Sequence, residues 1–539
     1  MINKIIAVLF FVLLYFTQAK EVLVVAPGLG GHIRPNFDLV KKLSTRGHQV
    51  TLLTESLALR YINTTGVNIK ELILTDTSSG ALERELINDS NLNSHVANIT
   101  NLMDGIIHFF SNRSEMELSF YKKISELMQK QKYDLMMVDF SAFTVRPLIF
   151  PNNTPCAISW GTYIASTDVP DINVVALTNP LNSGIFNTFF GRIHNILRSV
   201  TFTFSIAKYV LGLFSRINQD VTIPETFRSL ANVANFNAAT DRCMSIIAVP
   251  PAMNPERYRN YQHRFVGTFM DLSEVTKPQQ VEHWIEHWLT SHKSVIFAAL
   301  GTTTFLSEER MKSFLLGLDY FLTRESNKNA SVFLALSHQN YVLFQQVSLQ
   351  MKNLNKLIVS DRIKVVSDFV PQRAILQHES VKVFISHGGT GSVMESLLYG
   401  KPILNMPYHF DHHYTSIKVQ ELNAGLSLFS WEPTFVDLFI EREHVKYVFT
   451  AEDVSEKLSL LLHDNKFTKG AKSLSREIMY GGGAERAVYE MEYLMDMGNL
   501  DYQRPLYMDY PFYSRYYLDF ILVVVVIMYL SFKMINVLF

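Results

Sequence analysis

Two cysteines, Cys156 and Cys243, are all that this 539-residue chain contains. A disulfide-dense scaffold is therefore excluded. The two thiols can pair in an oxidising compartment or stay as buried small hydrophobes, and their spacing does not choose. No Cys/His cluster has the spacing of a zinc site, and no Asp-x-Asp is present to hold a metal–nucleotide. The formal net charge is −1, so there is no broad basic field to attract a nucleic acid. Charged residues make up only 18%, and no internal repeat or low-complexity tract occurs. What is abundant is apolar: 48% of residues, enough for large cores and membrane-directed segments. The length exceeds what one core usually holds, so two domains with additions are expected.

Both ends read as secretory signals. Lys4 precedes the apolar run 5–16 and Thr17-Gln18-Ala19, the pattern of a signal peptide over 1–19. An uncleaved anchor is the alternative, although the run is short for a membrane span. Six Asn-x-Ser/Thr sequons begin at Asn63, Asn88, Asn98, Asn112, Asn152 and Asn329. Near the C-terminus Tyr513, Tyr516 and Tyr517 lead into the apolar run 518–532. Interfacial aromatics before such a run predict a transmembrane helix, placed at 516–536, with Lys533 snorkelling. The expectation is a single-pass protein with its bulk in the lumen, although no basic tail follows the span.

Between the ends, strand and helix patterns alternate. Strands are expected at 22–26, 50–53, 135–138 and 157–160, with an amphipathic helix at 35–46 closed by Gly47. A second block has strands at 295–300, 332–336, 363–366, 383–386 and 403–406. Such alternation implies parallel sheets, twice over. The break falls around 250–277, and a helix at 484–497 follows Gly481-Gly482-Gly483.

The segment 368–413 carries the most information. Strands there feed polar, Gly-containing turns, and His387-Gly388-Gly389-Thr390-Gly391-Ser392 opens a helix. Amides at a helix N-terminus bind anions without a charged side chain. The order runs from an aromatic, Phe369, through this cradle to Asp411, which is the layout for a nucleotide base, then a diphosphate, then a sugar. Separately, ligands of open α/β sheets sit at the C-terminal ends of strands. That rule selects His32, expected in the loop after the first strand, and Asp139.

The 368–413 pattern resembles the signature of the UDP-glycosyltransferases, the animal UDP-glucuronosyltransferase-like branch of glycosyltransferase family 1. The resemblance rests on Phe369-Val370-Pro371-Gln372, Leu376-Gln377-His378, Phe384-Ile385-Ser386-His387-Gly388-Gly389, Glu395, Gly400-Lys401-Pro402 and Asp411-His412. It implies an α/β architecture of two Rossmann-like domains facing a cleft, the GT-B arrangement. The acceptor-binding domain would span 20–270 and the UDP-sugar-binding domain 271–475. A helix within 476–510 would return to the first domain.

The resemblance also implies roles. His32 and Asp139 match the catalytic pair, a base for the acceptor hydroxyl and its orienting carboxylate. Phe369 would stack on uracil, Gln372 would contact base or ribose, and Glu395 would accept from ribose hydroxyls. Gly301, Thr302, His387, Gly389 and Ser392 would grip the diphosphate, and Asp411 with His412 would face the sugar. A UDP-sugar is then a co-substrate, with no further cofactor and no metal. The expected partners are that donor, a small lipophilic acceptor near 186–214 and the endoplasmic reticulum membrane, with no nucleic acid; homo-oligomerisation stays open.

Three departures stand out. The family's Asn is Gly391 here, its Gln after Asp411 is His412, and its Trp-Arg is missing near Leu334-Ala335. The expected sugar is therefore open among glucose, glucuronate and galactose. The main rival reading is a non-catalytic membrane protein that binds a UDP-sugar or lipid. An oxidoreductase reading of Gly28-Leu29-Gly30-Gly31 is weak, because the third fingerprint glycine would fall at Ile33.

Overall fold

The computed structural model describes residues 19–75, 114–142, 154–162, 193, 243–254, 261–301, 304–367, 370–407, 411–428, 449–503, 514 and 518–538. The expected signal peptide, Thr302, Phe369, the sequons at Asn88, Asn98, Asn112 and Asn152, and the 186–214 stretch apart from Ile193 lie outside these residues. The sequon asparagines Asn63 and Asn329 are both exposed.

Thirteen strands are described, in two sheets whose pairings are all parallel. The first holds β1 (Glu21–Val25), β2 (Gln49–Glu55), β3 (Glu71–Thr75), β4 (Leu135–Asp139), β5 (Cys156–Trp160), β6 (Met244–Ile247) and β7 (His263–Phe265), in the order β3-β2-β1-β4-β5-β6-β7. The second holds β8 (Ser294–Ala299), β9 (Ala330–Ala335), β10 (Ile363–Val366), β11 (Val381–Ser386), β12 (Ile403–Asn405) and β13 (Gly425–Ser427), in the order β10-β9-β8-β11-β12-β13. Each sheet reverses direction once, between β1 and β4 and between β8 and β11. A crevice opens outside the strand ends at such a reversal. The helices used below are α1 (Gly30–Thr45), α2 (Gln372–Gln377), α3 (Thr390–Leu398), α4 (His412–Glu421), α5 (Asn465–Gly481), α6 (Gly483–Met497) and α7 (Leu518–Leu538).

Several expectations need correction. The first helix begins at Gly30, not at 35, so His32 lies in its first turn and not in a loop. Proline is favoured at the first helical position, which made Pro35 look like the start. Here the His32 and Ile33 amides already donate to the Leu29 carbonyl, and Pro35 sits inside the helix. The expected break at 250–277 contains β7, a short strand of the first sheet whose His-Arg-Phe composition hides it from apolar patterning. Strands β3, β6 and β13 were also not expected, being short or outside the main apolar runs.

The expected membrane span is not shown by the described residues. Helix α7 forms, and 522–530 are exposed apolar side chains. Among the described residues, however, no helix is long and apolar enough to cross a membrane.

Cys156, at the start of β5, is disulfide-bonded to Cys243, just before β6. This resolves the choice that the spacing left open.

Helix α6 packs on α1, and the two bury one seam. Phe37, Val40 and Leu43 line one side, and Ala484, Ala487, Val488 and Met491 line the other. The i, i+3, i+4 spacing of these positions puts them on single helix faces. The turn into α6 is tight against the linker after β7. A Cβ on Gly481 would come within 2.6 Å of Val266 backbone, and one on Gly483 within 2.5 Å of the Met270 carbonyl. Around the seam, Arg46 pairs with Glu485 and Glu492, and His48 reaches Glu492 at 3.0 Å. The C-terminal helix is thus held on the first sheet's domain, at the edge of the helix that carries His32.

Candidate functional site

The first cluster lies at the β1/β4 reversal. Asp139 ends β4 and is 1% exposed, while His32 is 19% exposed. His32 Nδ1 lies 3.0 Å from Asp139 Oδ1. Asn36, one turn after His32, donates from Nδ2 to Asp139 Oδ2 at 2.8 Å and to the His32 carbonyl at 2.8 Å. Ser159 Oγ in turn donates to Asn36 Oδ1 at 2.6 Å. Ser141 donates its amide (3.0 Å) and hydroxyl (2.5 Å) to Asp139 Oδ1. Burial alone would raise the Asp139 pKa, but His32 and the Ser141 donors outweigh it and hold the carboxyl below its ordinary range. An ionised carboxylate on Nδ1 fixes the ring so that Nε2 is the proton acceptor. The His32 ring sits 5.4 Å from Phe140, which stacks on Trp160 at 5.1 Å.

Asn36, Ser141 and Ser159 were not among the expected site residues. Two of them have local signals. Asn36 is at i+4 from His32 on one helix face, and Ser141 stands two residues after Asp139, the Asx-turn spacing. Ser159 has none, because it arrives from a different strand.

The second cluster lies at the β8/β11 reversal. Gly301 follows β8 with φ +74°, and a Cβ there would come within 2.7 Å of the His387 ring. A Cβ on Gly389 would come within 2.5 Å of His387 Nε2. Both glycines therefore make room for this imidazole. The His412 ring meets His387 edge-on, centroids 4.7 Å apart, and is only 5% exposed. So Gly301, His387, Gly389 and His412 come together, and His412 turns toward His387.

Gln372, Ser392 and Glu395 form a neighbouring group. Gln372 Nε2 donates to Glu395 Oε2 at 2.7 Å and to Ser392 Oγ at 3.2 Å. Asp411 joins the N-terminus of α3: its Oδ2 accepts from the Thr390 hydroxyl (2.5 Å) and amide (3.3 Å). Thr162, two residues past β5 in the first domain, crosses the cleft. Its Oγ1 lies 2.8 Å from Thr390 Oγ1 and 3.3 Å from Asp411 Oδ2. The two clusters thus face each other. One is a buried acid–imidazole pair, and the other is a helix N-terminus flanked by carboxylates and imidazoles.

Comparison with known proteins agrees with this fold. Residues 340–539 match the family model described as UDP-glucoronosyl and UDP-glucosyl transferase. Over this C-terminal stretch the chain carries the UDP-glycosyltransferase family's domain. A UDP-glucosyltransferase of Panax ginseng is 23% identical, the match covering 74% of this chain and 81% of that one. The human 2-hydroxyacylsphingosine 1-beta-galactosyltransferase is 22% identical over 90% of this chain and 82% of its own. For the mouse UDP-glucuronosyltransferase 3A2, 23% identical, the match spans only 47% of this chain and 42% of the relative. Among solved structures, an anthocyanidin 3-O-glucosyltransferase in complex with UDP superposes with TM-score 0.57 at 16% identity, covering 89% of this chain and 99% of that chain. The two parallel-sheet, Rossmann-like domains are those of the GT-B glycosyltransferases. Homologous UDP-sugar transferases indicate a hexosyltransferase as the class of enzyme. Within the family frame, Gly391 is a notable departure: a Cβ there would meet nothing within 4 Å.

Proposed function

We propose that this UDP-glycosyltransferase moves a hexosyl group from a UDP-sugar to the hydroxyl of a small lipophilic acceptor, with inversion at the anomeric carbon. The observation that carries the reading is the His32–Asp139 contact of 3.0 Å at the sheet reversal facing the α3 N-terminus. His32 Nε2 takes the acceptor's hydroxyl proton as the oxygen bonds to the anomeric carbon. The bond from that carbon to the phosphate oxygen breaks, and UDP leaves with the electron pair. Asp139 stays ionised and stabilises the imidazolium. Amides at the start of α3 and the His387 side chain receive the diphosphate charge. Gln372 and Glu395 hold the nucleoside with Phe369; Gly301, Thr302, Gly389 and Ser392 complete the diphosphate cradle, and Asp411 and His412 face the sugar. Because His412 replaces an amide, the sugar hydroxyls meet different donors and acceptors, which bears on the choice among glucose, glucuronate and galactose.

The Cys156–Cys243 disulfide supports an oxidising, lumenal setting. The exposed apolar row 522–530 on α7 supports anchoring of the C-terminus in the endoplasmic reticulum membrane. The test is UDP release by the full-length protein with UDP-glucose, UDP-glucuronate and UDP-galactose, each against phenols and steroids. Release with one donor, abolished in His32→Ala, is the expected result. Saturable UDP binding without release from any donor would replace the transferase with a non-catalytic binding protein.

A further inference from the structure

Arg373 stands beside Gln372 at the start of α2, yet its guanidinium serves both domains. Nε donates to Glu395 Oε1 at 2.8 Å, and one terminal nitrogen donates to Asp38 Oδ2 at 3.0 Å. Asp38 lies on α1, six residues after His32. Its side chain is 12% exposed and that of Glu395 is 16%. Surface ion pairs are worth little. This one differs, because one guanidinium lies between two largely buried carboxylates that belong to opposite walls of the cleft; Lys41 Nζ, 3.3 Å from Asp38 Oδ1, pairs with Asp38 alone. Without the cation those carboxylates repel, and the walls that carry them are pushed apart.

We propose that Arg373 is a positioning residue that couples occupancy of the nucleotide site to the placement of the His32 helix. The proposal rests on the transferase reading, in which Glu395 receives the ribose hydroxyls. Both Glu395 oxygens already accept one protein donor each, Oε1 from Arg373 and Oε2 from Gln372. A carboxylate oxygen has a second lone pair, so a ribose hydroxyl can bind without displacing either. A bound nucleoside then fixes the carboxylate plane. The fixed carboxylate orients the Arg373 fork, and the fork holds Asp38 and with it α1. Such coupling is reciprocal: whatever orders α1 must also favour the nucleotide.

The test compares full-length wild type, Arg373→Met, Asp38→Asn and the double variant. UDP affinity is measured by calorimetry, and amide hydrogen exchange along Gly30–Thr45 is followed with and without UDP. In the wild type, UDP should slow exchange in this helix. Arg373→Met should abolish that slowing and weaken UDP binding by about tenfold. Adding Asp38→Asn should restore affinity to within about threefold, because the repulsion between Asp38 and Glu395 is gone. A purely structural arginine would give no such rescue. Unchanged UDP affinity in Arg373→Met, retained slowing, or further loss in the double variant would each overturn the proposal. Neither readout uses turnover. A wild type that binds UDP with slowed exchange yet releases none from any UDP-sugar would defeat the transferase reading alone. A wild type that turns over while Arg373→Met binds UDP identically would defeat the coupling alone. No UDP binding by the wild type would defeat both.

Discussion

Replacing Asp139 by Asn tests the proposed mechanism most directly. The substitution keeps the size of the side chain, so packing at this 1% exposed position is preserved. What changes is charge and donor pattern. Oδ1 accepts from the Ser141 amide and hydroxyl and contacts His32 Nδ1, while Oδ2 accepts from Asn36. An amide group has one oxygen, so its NH2 must face a donor on one side or the other. The lost carboxylate charge is the larger effect. Taking the charge centres at about 4 Å and an effective dielectric near 20, the imidazolium loses about 4 kcal/mol of stabilisation. That corresponds to about a thousandfold in kcat. The KM for the UDP-sugar should stay within about threefold, because the donor cluster lies on the other domain. The assay is initial-rate UDP release under saturating donor and acceptor, with thermal unfolding as a control for folding. Retention of more than about a tenth of wild-type kcat, in a variant that unfolds like the wild type, would refute the assignment of Asp139 as the orienting carboxylate.

Three other substitutions follow from the structure. Gly391→Asn has open space for its side chain; it should tighten UDP binding by about threefold to tenfold in calorimetry through one added donor near the α3 N-terminus, and an unchanged Kd would place that side chain outside the phosphate site. Glu492 is held down to about 2: burial acts to raise it, but hydrogen bonds from His48 and Arg46 prevail. Its contribution, about 1 kcal/mol after solvent screening of this part-exposed pair, is therefore present above about pH 4.5 and lost as pH falls toward 2. Denaturant unfolding of Glu492→Gln should show the deficit at neutral pH and lose it in acid, and equal stability at pH 7 would show that the seam between α1 and α6 does not depend on this ion pair. Cys156→Ser with Cys243→Ser opens a disulfide spanning 87 residues; by chain entropy the loss is about 4–5 kcal/mol, to be read from urea midpoints, and no shift in the midpoint would contradict the estimate.

Much of the architecture was legible in the chain itself, because strands buried on both faces must be continuous apolar runs and helices must show a 3.6-residue stripe. The runs that became β1, β4, β8 and β11 are of this kind, and their C-terminal ends or the segments just after them carry His32, Asp139, Gly301 and His387, where open sheets bind ligands. Two short edge strands escaped notice for the same reason. Neither His263–Phe265 nor Gly425–Ser427 needs a continuous apolar run, since a short edge strand has a neighbour on one side only. The first helix was misplaced at its start because local rules for proline favour Pro35 as a beginning, while the backbone hydrogen bonds to Leu29 extend the helix past it. Contacts between residues far apart in the chain belong wholly to the tertiary structure. Ser159 reaches Asn36 because β5 lies beside β4 under α1, and Thr162 meets Asp411 and Arg373 lies between Asp38 and Glu395 because two separately wound sheets are set face to face. Sequence spacing encodes faces of a single helix or strand. It carries no information about which face of another element will be opposite, and side-chain charge and hydrogen bonding are decided there.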